Sequence, residues 1–135
     1  MAKSTIYNIY NDLVNAIKPI VGTSYVFLKD RPKISTDNVA MKKFAVVDLP
    51  VSIDDYVIGR RKTYLTTSGI YYLFAQARKN DTLDVNVMGA LVDEVVDLFP
   101  IKGDYVIASN PVVRMTGSDG QGFQVTTVSF DIHTK

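Results

Sequence analysis

The sequence predicts an α+β fold, two helices packed on one face of a mostly antiparallel β-sheet, in a single domain spanning residues 1–135. Three observations carry this. Two stretches place apolar residues at helical spacing, the segments around them are rich in β-branched and aromatic residues, and a glycine-rich turn joins two closing strands. A chain of 135 residues has the size of one domain. With 47% apolar and 21% charged residues it can bury a core, which excludes disorder for most of its length.

In the first element Ile6, Ile9, Tyr10, Leu13, Val14 and Ile17 recur on one helical face, while Asn8, Asn11, Asp12 and Asn15 fall opposite. Ser4 or Thr5 can cap its start, and Pro19 and Gly22 are expected to stop it soon after Lys18. Strands are expected at Tyr25 to Leu28, Phe44 to Val47 and Tyr64 to Arg78. A second helix is expected from Leu83 to Phe99, capped by Asp81 or Asp84 and blocked by Pro100. Its apolar stripe is Val85, Met88, Leu91, Val92, Val95 and Phe99; its other face carries Asn86, Asp93, Glu94 and Asp97. From Asn80 to Ile101 there are five acids and no base, so that face is strongly negative.

Further strands are expected at Tyr105 to Ala108, Val112 to Thr116 and Phe123 to Ile132. The turn Gly117-Ser-Asp-Gly-Gln-Gly122 supplies the positive φ values of a hairpin between the last two. In the closing strand Val128, Phe130 and Ile132 should face the core, with Thr127, Ser129 and Asp131 opposite. Residues 30–42 and 50–62 read as long loops, which in a compact domain are usually functional or mobile.

Chemistry is thinly represented. No cysteine and a single histidine exclude disulfides, thiolate zinc sites, cysteine nucleophiles and multi-histidine metal sites. His133 with Asp131 has the pattern of a base and its orienting carboxylate, but a residue so near the chain end is better read as exposed. Asp54-Asp55 and the cluster Asp93, Glu94 and Asp97 lack the alternating ligands and sharp glycine turn of a metal loop. The glycine-rich turn precedes a strand, whereas a phosphate cradle opens a helix, so no nucleotide is expected there. No catalytic residue, cofactor or metal is therefore predicted. The net charge of +1 is far from the basic excess of a nucleic-acid binder. The chain start has no apolar signal core and no run is long enough to span a bilayer, so a soluble protein made in the cytoplasm, with no membrane partner, is expected.

Charge is unevenly divided. Met1 to Thr67 holds ten bases and six acids, net +4, and Ser68 to Lys135 five bases and eight acids, net −3. Segregation of this kind lets copies of one chain meet head to tail. Arg60, Arg61 and Lys62, the only run of three bases, and Asp93, Glu94 and Asp97 are the candidate subunit-interface residues.

The order of elements, with Leu98-Phe99-Pro100 closing the second helix and Asp119-Gly-Gln-Gly-Phe123 opening the final strand, resembles the tail terminator (tail-completion) proteins of long-tailed bacteriophages. The likeness spans Thr5 to Ile132. It implies a structural virion protein, not an enzyme, at the head-proximal end of the tail. Its copies would form a hexameric ring that ends tail-tube growth and joins tail to head. The implied partners are other copies of the chain, the tail tube protein and head or neck connector proteins, with DNA passing through the ring without specific binding. Near-neutral charge suits such a bore, through which DNA must slide. Another head-to-tail connector, a small-ligand binding domain, or an enzyme using Asp, Tyr or Arg groups remain the alternatives.

Overall fold

The computed structural model describes residues 5–22, 25–28, 42–49, 66–78, 82–120 and 122–134. Among these residues eight elements follow one another: α1 (Thr5–Val21), β1 (Val26–Leu28), β2 (Lys43–Asp48), β3 (Thr66–Gln76), α2 (Val85–Val96), β4 (Ile101–Lys102), β5 (Val106–Ser118) and β6 (Phe123–Thr134). The strands form one six-stranded sheet in the order β1-β2-β3-β6-β5-β4. Among the described strands only the β1–β2 pair is parallel. The α+β class, with two helices and a mostly antiparallel sheet, is as the sequence predicts. The expected loops lie outside the described residues, apart from Lys42.

Both helices cover the same face of the sheet. Ile9, Leu13, Ile17 and Val21 of α1 and Met88, Leu91 and Val95 of α2 pack with Ala45, Val47, Tyr71, Leu73, Val128, Phe130 and Ile132 in one buried cluster. The period of β6 is the expected one, with Val128, Phe130 and Ile132 buried. The centre of the sheet is crowded: a Cβ on Gly69 would stand 2.7 Å from the Phe130 ring, so only glycine lets that ring lie flat there. The opposite face of the sheet is apolar around β2 and β3. Phe44 stacks on Phe74 with centroids 4.3 Å apart, and Phe27 and Phe123 meet Phe44 edge-on.

Several boundaries differ from expectation. Helix α1 runs through Pro19 to Val21 and ends at Gly22, whose φ of +99° suits a residue without a side chain. Pro19 is tolerated because it lies on the exposed side of the last turn while Ile17 and Val21 are held in the core. Helix α2 is shorter than expected. Asp84 is its N-cap, accepting from the Val87 N–H at 3.3 Å, and Asp97 is its C-cap. The two strands expected at Tyr105 to Ala108 and Val112 to Thr116 are one strand, β5, with an irregularity between Ser109 and Val112. Asn110 takes a φ of +59° there and its amide donates to Asp131 at 3.0 Å, so the Asn-Pro step bends the strand instead of ending it. The two-residue β4 was too short for any pattern to reveal.

Ile6 and Val85, both expected in the core, are 46% and 66% exposed. Each sits in the first turn of its helix. Asp12, expected to face solvent, is buried. Its carboxylate accepts the backbone N–H groups of Asp104 (3.2 Å), Tyr105 (2.8 Å) and Val106 (2.9 Å), the turn between β4 and β5. One helix side chain thus satisfies three amides of a tight hairpin. A Cβ on Gly103 would collide with that carboxylate, which fixes glycine at this position. The next residue makes a second pin, where the Tyr71 hydroxyl donates to the Leu13 carbonyl at 2.6 Å. Burial pushes the Tyr71 hydroxyl well above its ordinary pKa, so it stays a donor.

Leu13→Asp should abolish the cooperative thermal transition, and Leu13→Ala should cost about 3 kcal/mol; a wild-type melting temperature for either would remove this face from the core. Asp12→Ala should lower stability in urea by roughly 2–4 kcal/mol, because one buried and two part-buried backbone donors lose a charged acceptor. An unshifted urea midpoint would contradict that pin.

Candidate interaction surface

The sequence-derived candidates fall in two places. Asp93, Glu94 and Asp97 are exposed on the outer side of α2, as the helical pattern predicts. Arg60, Arg61 and Lys62 lie outside the described residues, as do Asp54, Asp55 and Asp81. The proposed pairing of the two charged clusters between subunits thus involves one cluster outside the described residues. Asp131 is exposed and engaged by the Asn110 amide across the β5 bend, with His133 half-buried two residues on. The glycine-rich segment is a hairpin turn. The Asp119 carboxylate accepts from the Phe123 N–H at 3.1 Å, the Ser118 hydroxyl from the Gly120 N–H at 3.1 Å, and Gly117, Gly120 and Gly122 all have positive φ. These groups are spent on the turn itself. Among the described residues no three His, Cys, Asp or Glu side chains gather as metal ligands would.

What the local pattern did not reveal is an apolar groove between α2 and the outer half of β5. It is lined by Leu83, Val85, Met88, Gly89 and Val92 on the helix side and by Val113 and Met115 on the strand, with Asp93 at its rim. Val85, Met115 and Val113 are 66%, 59% and 43% exposed. The topology makes this groove. Strand β4 pairs with β5 only at Ile107 and Ala108, and beyond the bend no described strand pairs with the outer side of β5. Val113 and Met115 face the helix side because their β6 partners, Val128 and Thr126, do. Helix α2 passes above them without closing on them.

The groove holds about 200 Å³, room for one or two side chains. Two further depressions, one beside Asn110 and Asp131 and one beside Asp12 and Lys102, hold about 210 Å³ and about 260 Å³. Pockets for drug-sized molecules run to about 300–1,000 Å³, so these three suit side chains of a partner better than a free ligand. Contiguous exposed apolar surface of this kind usually marks a protein contact.

No helix among the described residues is long and apolar enough to cross a membrane. No protein-family model matches the chain, and no curated protein matches it. Twelve chains of solved structure match it. One of them, a protein that carries no functional name, is 10% identical, with a TM-score of 0.57 over 96% of this chain and 92% of its own. At that identity the likeness is one of fold.

Proposed function

We propose that this chain is a structural subunit of a long-tailed phage virion, a tail terminator whose copies form a ring at the head-proximal end of the tail. The ring, hexameric by likeness to that family, ends growth of the tail tube and joins it to the connector proteins of the head. It works without catalysis or a cofactor. The observation that carries this reading is the exposed apolar groove between α2 and β5. A subunit that must bind its own copies, a tube below and a neck above needs exposed apolar surface of this kind.

The order of helix, strands, helix and closing hairpin supports the same reading, because it is the plan on which the resemblance rests. The two motifs of that resemblance both have local structural work. Leu98 and Phe99 close the last turn of α2 through bonds to the Val95 and Val96 carbonyls, and Asp119 closes the hairpin onto Phe123. The charge of +1 suits a passage through which DNA slides.

Electron microscopy of phage particles made without this protein tests the role. Tails of uncontrolled length, detached from filled heads, are the expected outcome. Tails of normal length lacking only the joint would assign it to the neck instead, and intact particles would overturn a virion role.

A further inference from the structure

Among the described residues the sheet has two unlike edges that no described strand pairs, one along β1 and one along β5 beyond the short β4. At one end lies β1, with Leu28 53% exposed. At the other lies β5, whose outer side is not paired by any described strand from Asn110 to Ser118. Open strand edges present rows of backbone N–H and C=O groups that pair readily with another strand. We infer that these edges fit each other: β1 of one copy adds to the β5 edge of the next, with Leu28 entering the groove beneath α2. The inference rests on the ring reading for the identity of the partner, and adds the surfaces through which the copies meet.

The faces agree. Leu28 and Val26 pair with Val47 and Ala45, which belong to the helix-covered core, so Leu28 points to the helix side of its own sheet. A strand added to β5 continues the sheet, and its helix-side residues meet Val85, Met88, Val113 and Met115 of the next copy. Phe27 points to the opposite side, and the exposed Val112 of β5 lies on that same side. An added strand therefore finds apolar surface on both sides, and the volume of about 200 Å³ matches one or two side chains.

The charges agree as well. The groove is flanked by Asp84 and Asp93, on a helix with no base from Asn80 to Ile101. At the start of β2, the strand beside β1, stand Lys42, exposed, just before the strand, and Lys43, half-buried, its first residue. Acid at one edge and base at the other favour head-to-tail contact and set its register. Pairing β5 with β5 about a two-fold axis would instead bring two acidic α2 helices together. Contacts between unlike surfaces of one chain close into rings when the rotation allows.

Sedimentation of the full chain tests this with two variants. Gly89→Leu with Met115→Glu plugs the groove, Gly89 being a position where an added Cβ meets nothing within 4 Å. Leu28→Glu with Lys42→Glu spoils the other edge. The wild-type chain should form species larger than a dimer, and each variant should sediment as a monomer with a wild-type melting temperature. Mixed one to one, the variants should give a heterodimer and nothing larger, because the mixture retains one good groove and one good edge. If a double variant is misfolded, Met115→Glu or Lys42→Glu alone, both at exposed side chains, should weaken assembly by at least tenfold. Variants that assemble as the wild type does would overturn this contact and leave the ring standing. A wild-type dimer, a mixture that stays monomeric, or a wild-type chain monomeric up to millimolar concentration would also overturn it, while particle morphology judges the ring separately.

Discussion

Two neighbouring residues of α1 hold the molecule in register. Asp12 accepts three backbone amides of the β4–β5 turn, and the carbonyl of Leu13 receives the Tyr71 hydroxyl from the centre of the sheet. Hydrophobic burial of Ile9, Leu13 and Ile17 supplies the driving force but fixes no exact position, since an apolar helix face can slide and roll on a sheet at small cost. The four hydrogen bonds remove that freedom. They also join parts of the chain more than ninety residues apart in the case of Asp12 and Asp104, so the native position of the first helix depends on a turn distant in sequence.

Placement of α1 determines what remains for α2. Both helices share one face of the sheet, and with α1 seated against β1 and β2, α2 is left above the central strands β3 and β6. Its first turn consequently overhangs the outer half of β5, and Val85, Gly89 and Val92 look across at Val113 and Met115 without filling the space between. The groove is thus a by-product of helix placement combined with a short β4. Lengthening β4 by a few residues would pair the edge and remove the groove, so its two-residue length is as consequential as any side chain.

Features written in local patterns were legible in the sequence. The faces of both helices follow from apolar spacing, the β6 alternation from a period of two, and the hairpin turn from its glycines. The exposure of Asp93, Glu94 and Asp97 came from the same helical arithmetic. Features that depend on distant partners were not legible. An aspartate on the polar-looking side of α1 reads as solvated until the turn at Asp104 to Val106 is known to lie against it. Val85 reads as core because spacing cannot say where the sheet beneath a helix stops. Asn110-Pro111 reads as a break because the same residues end strands and bend them. The groove combines all three kinds of ignorance, which is why no local motif announced it.

The pairing of β3 with β6 has a mechanical consequence. These strands match over eleven consecutive residue pairs, from Thr66 with His133 to Gln76 with Phe123, and they join the strands of the first half of the chain to those of the second. A force pulling the two halves apart along the strand direction loads every rung of that ladder together, in shear. A force across it would open rungs one after another, as a zipper does. At about 3.4 Å per residue the seam is roughly 35 Å long. The pairing therefore resists load along one axis more than along the perpendicular one, a direction-dependent strength that backbone geometry contributes beside the α1 pins.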